Sequence, residues 1–163
     1  MKKIQVLFFI LSPVLLGYFY QCFVEQSHFD PVWFDTVAVA ILVYWLFVGV
    51  RFARLIRNSF WAIISGNSLG ILSFAGICLQ SIFPGNVEFG KFSDLFECFA
   101  LPTYLFTNKI DVSVSIFSFF VTPEIFRNFI GSLGMIFIFS VGYFIKKSII
   151  KTKKHARRVI RKR

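Results

Sequence analysis

Hydrophobic residues fall along this chain in four long runs separated by short polar stretches, and the lengths of the runs decide what they can be. Residues 4–24, IQVLFFILSPVLLGYFYQCFV, carry no charge, and about 20 apolar residues are needed to cross the hydrocarbon of a bilayer as a helix. The run is too long for the apolar part of a removed signal peptide, and no small-residue cleavage pattern follows it. It predicts a retained helix, bent at Ser12-Pro13, where proline removes a backbone hydrogen bond. Residues 36–50, TVAVAILVYWLFVGV, predict a second span. Its uncharged part is only about 22 Å long at helical rise, so Asp35 and Arg51 fall at the hydrocarbon edges, with Arg51 reaching back to the headgroups. Residues 60–83 and about 125–147 complete the set.

Helix starts are marked at two places. Asp30-Pro31 precedes the second run, and Thr122-Pro123-Glu124 precedes the fourth with a cap residue, a proline for the first position and an acid in the first turn. In the third run Gly66, Gly70 and Ser73 recur at spacings of four and three. They form a small-residue stripe against which another helix packs closely, either inside the molecule or in a homodimer.

Residues 84–124 make one large outer loop, itself apolar. Phe92, Leu95, Phe96 and Phe99 fall on one helical face before Pro102, which predicts a short helix lying in the outer interface. VSVSIFSFFV, residues 112–121, is too short to cross as a helix, and re-entrant and interfacial placements both remain open for it.

Charge orients the runs. Of the 18 Lys and Arg residues, ten lie from Lys146 onward, in KKSIIKTKKHARRVIRKR. With the first three residues, the loop holding Arg51, Arg54 and Arg57, and the tail placed in the cytoplasm, that side holds 15 basic residues and no acid. The other side holds Lys91, Lys109 and Arg127 with all eight acids. Basic residues accumulate on the cytoplasmic side of membrane proteins, so four spans with both termini in the cytoplasm satisfy the rule, and three or five do not. The expected location is the cytoplasmic (plasma) membrane. The composition, 56% hydrophobic and 20% aromatic with a mean hydropathy of +0.71, belongs to the same class.

The net charge of +10 is therefore a property of the tail, residues 148–163, and no nucleic-acid partner is expected. Ile149, Thr152, Ala156 and Val159-Ile160 make a thin apolar stripe among Lys151, Lys153, Lys154, Arg157, Arg158 and Arg161. That pattern suits a helix on an anionic inner leaflet, where each basic residue contributes roughly 1 kcal/mol.

Chemistry-bearing residues are sparse. Asp35, at a membrane edge, and Asn67, about two turns into the third run, are the candidate polar functional groups; a helix-start acid and an interhelical hydrogen bond are the plainer roles. Glu25, His28, Asp30 and Asp94 make a weak outer-face cluster, too few in ligand type for a defined metal site. Cys22, Cys78 and Cys98 form no paired motif. HExxH, GxSxG and Walker patterns are absent, and no cofactor is implied.

The sequence thus predicts an all-α, polytopic integral membrane protein, a single domain with four transmembrane helices, an apolar outer loop and a basic C-terminal tail. The expected function is non-enzymatic contact with another membrane protein, or with itself, as an accessory, assembly or immunity-type factor. A small oligomeric transporter or channel using Asp35, Tyr44 and Asn67 is the first alternative. A membrane enzyme with an outer-face site is the second.

Overall fold

The computed structural model describes residues 2–26, 31–82, 99, 101–103 and 123–160, and all their regular structure is helical. The elements are α1 (Lys2–Gln26), α2 (Pro31–Leu55), α3 (Ser59–Gly66), α4 (Ser68–Ile82), a 3-10 turn at Leu101–Thr103, and α5 (Pro123–Ile160). Three of these helices are long and apolar enough to cross a membrane, over Ile4–Cys22, Asp35–Leu55 and Phe129–Lys153. Both prolines expected to start helices do so: Pro31 opens α2 and Pro123 opens α5.

The third run differs from the single helix its hydropathy predicts. It forms two helices, α3 and α4, interrupted at Asn67. α1 runs through Pro13 without a break. The Phe9 carbonyl, which a residue with an N–H at position 13 would serve, instead accepts from the Ser12 hydroxyl at 3.0 Å. A neighbouring hydroxyl thus supplies the hydrogen bond that the proline cannot make.

Helix directions follow from which residues meet. Phe9 of α1 packs on Phe52 of α2, while Tyr20 packs with Ala38 and Ile41, so α1 and α2 are antiparallel. Trp45 reaches Met135, Gly49 meets Phe139, and Tyr143 reaches Ile56 and Arg57, so α2 and α5 run parallel. Lys147 meets Ser59, Phe139 meets Gly66, and Phe129 meets Phe74, so the α3–α4 pair opposes α5. Direction therefore alternates along the chain from α1 through α2 and the α3–α4 pair to α5.

The core is a run of aromatic rings. Phe139 lies 5.1 Å from Phe52 and 5.3 Å from Trp45, and Trp45 meets Phe99 edge to face at 5.8 Å. Such offset and perpendicular pairs contribute roughly 0.5–1.5 kcal/mol each beyond the area they bury. Met135, Val48 and Tyr143 close the cluster.

Phe99 does not lie on the interfacial surface expected for it in the outer loop. Its ring is 1% exposed, between Trp45 and Gly70, and Pro102 and Thr103 are buried with it. Gly70 lies twelve residues before the end of α4, about 18 Å at helical rise. The Phe99–Thr103 segment therefore re-enters the bundle, and the 3-10 turn touches α1, α2 and α5. Periodicity put Phe99 on a surface face with Phe92, Leu95 and Phe96. In the fold, the space left by a glycine and the edge of an indole hold it inside. Phe92, Leu95, Phe96 and residues 112–121 lie outside the described residues.

Candidate functional site at the helix break

A polar stretch, Ser65-Gly66-Asn67-Ser68, lies where α3 gives way to α4. Asn67 takes φ −105° and ψ 14°, which ends the helical ladder. A break deep in an apolar environment leaves carbonyls without partners, and each costs several kcal/mol if unserved. Here the stretch serves itself. The Asn67 main-chain N–H and its side-chain Nδ2 both donate to the Ile63 carbonyl, at 3.1 and 2.9 Å. Ser65 Oγ donates to the Trp61 carbonyl, and Ser68 Oγ donates to the Ser65 carbonyl at 3.0 Å. The ladder resumes with Ile71 N–H donating to the Asn67 carbonyl at 3.0 Å.

One atom is left over. Asn67 is fully buried, and its Oδ1 accepts from no group among the described residues. With Nδ2 committed to Ile63, the amide cannot rotate to relieve this without facing an acceptor with an acceptor. Chemically the site is a lone buried acceptor beside a helix end, suited to a hydrogen-bond donor.

Gly66 and Gly70 flank the break, and both are buried. A Cβ at Gly66 would overlap the Phe139 ring, and one at Gly70 would overlap the Phe99 ring. Both glycines make room for aromatic side chains of the same chain. Ser73 lies in α4, with its side chain outside the described set. Asp35 is exposed in α2, ten residues before Trp45, some 15 Å along the helix, and is not brought to Asn67. Tyr44 is half-buried against the aromatic cluster.

Lys151 and Lys153 are exposed on α5. Lys154, Arg157 and Arg158 belong to the same helix, their side chains outside the description; Arg161 lies beyond it. Cys22 is a free, half-buried thiol. The side chains of Glu25, His28, Asp30 and Asp94, and those of Cys78 and Cys98, lie outside the described residues. Among the described residues no three His, Cys, Asp or Glu side chains gather as a metal site would require.

Sequence reasoning missed the contacts that hold α2 to α5. A Cβ at Gly49 would overlap the Phe139 carbonyl oxygen, and one at Gly142 would overlap the Leu46 carbonyl oxygen. Trp45 Nε1 donates to the Met135 carbonyl at 3.0 Å. At the end of α2, Tyr143 Oη donates to the Ile56 and Arg57 carbonyls at 3.2 and 3.3 Å. The Lys147 ammonium lies 5.5 Å from the Tyr143 ring centroid and donates to Ser59 Oγ. The available signal was Gly49, the lone glycine of the second run. Its partner Gly142 lies 93 positions on, beyond any local pattern.

The sequence matches no family model, and neither a curated protein nor a solved structure is similar to it at a significant level.

Proposed function

We propose that this chain is a multi-pass protein of the cytoplasmic membrane, crossing four times with both termini in the cytoplasm. It acts by helix contact with other membrane proteins, as an accessory, assembly or immunity-type factor. The four-crossing topology is supported by the parallel course of α2 and α5. Two successive crossings that run the same way need a return between them, and α3 and α4, of 8 and 15 residues, supply it on either side of Asn67. The orientation rests on the 15 basic residues of one side against three of the other.

One observation carries the contact reading. Among the described residues, Ser12, Trp45, Ser65, Asn67, Ser68 and Tyr143 each donate a side-chain hydrogen bond to a main-chain carbonyl of the chain itself. These side chains hold the backbone, and large apolar side chains are left outward, with Val43 and Phe137 among the most exposed. Recognition across such faces proceeds by shape and close packing in lipid.

The test is photo-crosslinking in living cells from Val43, Leu72 and Phe137, with mass spectrometry of the adducts. One recurrent membrane protein is expected. Recovery of lipid adducts alone, or of a discrete oligomer of this chain alone, would sink the accessory reading. Gly66 and Gly70 are unsuitable probe positions because each faces a ring of its own bundle.

The Asn67 break favours one second reading, a small oligomeric transporter or channel. Interrupted helices and re-entrant segments recur where transporters bind substrate near the bilayer midplane, and an unpaired acceptor gives such a site its chemistry. On that reading Asn67→Ala abolishes a flux in reconstituted vesicles at unchanged protein level. Unaltered flux would remove it.

A further inference from the structure

Packing gathers cations at the turn between α2 and α3. The Tyr143 hydroxyl on the Ile56 and Arg57 carbonyls, and the Lys147 ammonium on Ser59 Oγ, bring that turn against α5. Arg57 and Lys147 are exposed there, and Lys146 is half-buried in the same turn of α5. The surrounding sequence offers them no acid: none lies between Asp35 and Glu88, and none after Glu124. Asp35 stands at the far end of α2 from Leu55, about 30 Å away at helical rise. Like charges gathered in one place repel one another, and an anion among them would offset this.

The donors are already positioned. Lys147 is held by Ser59 and lies 5.5 Å from the Tyr143 ring centroid. An ammonium has three N–H groups, and Ser59 is the one acceptor for Lys147 among the described residues. The Ser59 hydroxyl accepts from Lys147 and so keeps its own proton to donate. A guanidinium, an ammonium and a hydroxyl thus meet at one turn, a set that suits a phosphate.

Depth and apolar surroundings narrow the source of that phosphate. The apolar span of α2 ends at Leu55, while that of α5 runs on to Lys153. Arg57, Ser59 and Lys147 lie between those two ends. From Lys147 to Lys153 α5 rises about 9 Å, close to the 5–8 Å or so that headgroups add on each side of the hydrocarbon. On the hydrocarbon side of the cations, Phe60 and Trp61 of α3 and Phe144 and Ile145 of α5 are exposed. A free phosphate would use the donors and leave these side chains uncovered. A phospholipid places its phosphate on the donors and an acyl chain along the apolar side chains.

We propose that the turn between α2 and α3, with the facing turn of α5, is a binding site for an anionic phospholipid. Arg57, Ser59 and Lys147 hold its phosphate, and Phe60 and Phe144 flank its acyl chain. This site is distinct from the basic tail, because it is assembled from two distant stretches and sits at the end of the bundle. It rests on the topology proposed above only for the leaflet, which is the inner one.

The test is native mass spectrometry of the full chain in mild detergent, with phosphatidylglycerol, phosphatidylcholine or inorganic phosphate added. One phosphatidylglycerol should be retained, in clear preference to phosphatidylcholine, and excess inorganic phosphate should not displace it. Combined Arg57→Gln and Lys147→Gln should weaken retention about tenfold or more. Combined Lys153→Gln and Lys154→Gln, which removes the same charge from the tail, should weaken it far less. Ser59→Ala keeps every charge, so topology is undisturbed, and should lower retention several-fold. Equal retention of phosphatidylcholine, displacement by inorganic phosphate, equal loss from the tail variant, indifference to Ser59→Ala, or no retained lipid would each overturn the proposal. Detergent has no leaflets, so this result is independent of orientation. Protease accessibility of the two termini in intact cells reads the topology separately. Cytoplasmic termini without lipid retention would remove the site and leave the topology standing.

Discussion

Gly49 of α2 and Gly142 of α5 sit side by side in parallel helices, each pressed against a carbonyl of the other's backbone, at Phe139 and Leu46 respectively. Neither site admits a side chain. Small residues at such positions let helix backbones approach, with Cα–H···O contacts as a second-order contribution. The same approach brings Trp45 within reach of Met135, and Phe139 against both Trp45 and Phe52.

Gly49→Ala and Gly142→Ala should therefore each be strongly destabilising. Backbone is the obstacle, so the helices must separate, at a cost of about 1–3 kcal/mol or more. Gly76→Ala is the control: nothing lies within 4 Å of a Cβ there, and alanine's helix propensity should leave stability unchanged or up to about 1 kcal/mol higher. Thermal unfolding followed by size-exclusion chromatography in mild detergent would rank the three. Equal behaviour at Gly76 and Gly142 would show that the close approach is wrong.

Trp45→Phe keeps a ring among Phe99 and Phe139 but loses the indole donor. Hydrogen bonds between helices in lipid contribute about 0.6–2 kcal/mol, and a loss in that range is expected. Trp45→Ala should cost about 3–5 kcal/mol through the cavity it leaves. A Phe variant as unstable as the Ala variant would mean that ring packing counts for little at this position.

Phe99 and Gly70 should behave as a coupled pair. Phe99→Ala empties the space beside Gly70, at about 3–5 kcal/mol. Gly70→Leu alone collides with the ring. Together the two changes should be less damaging than the sum of the singles, by roughly 0.5–3 kcal/mol. Strict additivity in a double-mutant cycle would count against the re-entrant placement of the Phe99–Thr103 segment.

Tyr143→Phe leaves the Ile56 and Arg57 carbonyls without their hydroxyl donor. The expected loss is about 1 kcal/mol, concentrated at the inner turn. Hydrogen exchange over residues 55–60 should quicken while α2 above Phe52 stays protected. A uniform increase along α2 would assign the hydroxyl a global role.

Asn67 should respond in opposite ways to two changes. Asn67→Ala removes the unpaired Oδ1 while the main-chain N–H still serves Ile63, so stability should stay within about 1 kcal/mol of the parent. Asn67→Asp buries a carboxylate without a partner and should be severely destabilising. The two are compared by yield and by thermal unfolding in detergent. A mild effect of the aspartate would mean that its carboxyl is held neutral and donates to the Ile63 carbonyl in place of Nδ2.

The sequence by itself determined the class of structure, because each of its signals is local or additive. Run length and the absence of charge marked the apolar helices, and three of them are long enough in the structure to cross a membrane. Pro31 and Pro123 marked two helix starts, since proline suits a position whose N–H has no partner to lose. What tertiary structure decided is everything that depends on two distant stretches meeting. The Gly66-Asn67 interruption looks like continuous apolar helix until its donors are seen turning to Trp61, Ile63 and Ser65. Phe99 has surface periodicity, yet lies inside because Gly70 and Trp45 leave it a space. Gly49 and Gly142 carry no motif in common, and only the parallel packing of α2 on α5 makes them one contact. Hydropathy sums over a window of neighbours; steric fit between helices is a property of pairs of residues far apart in the chain, and folding alone brings those pairs together.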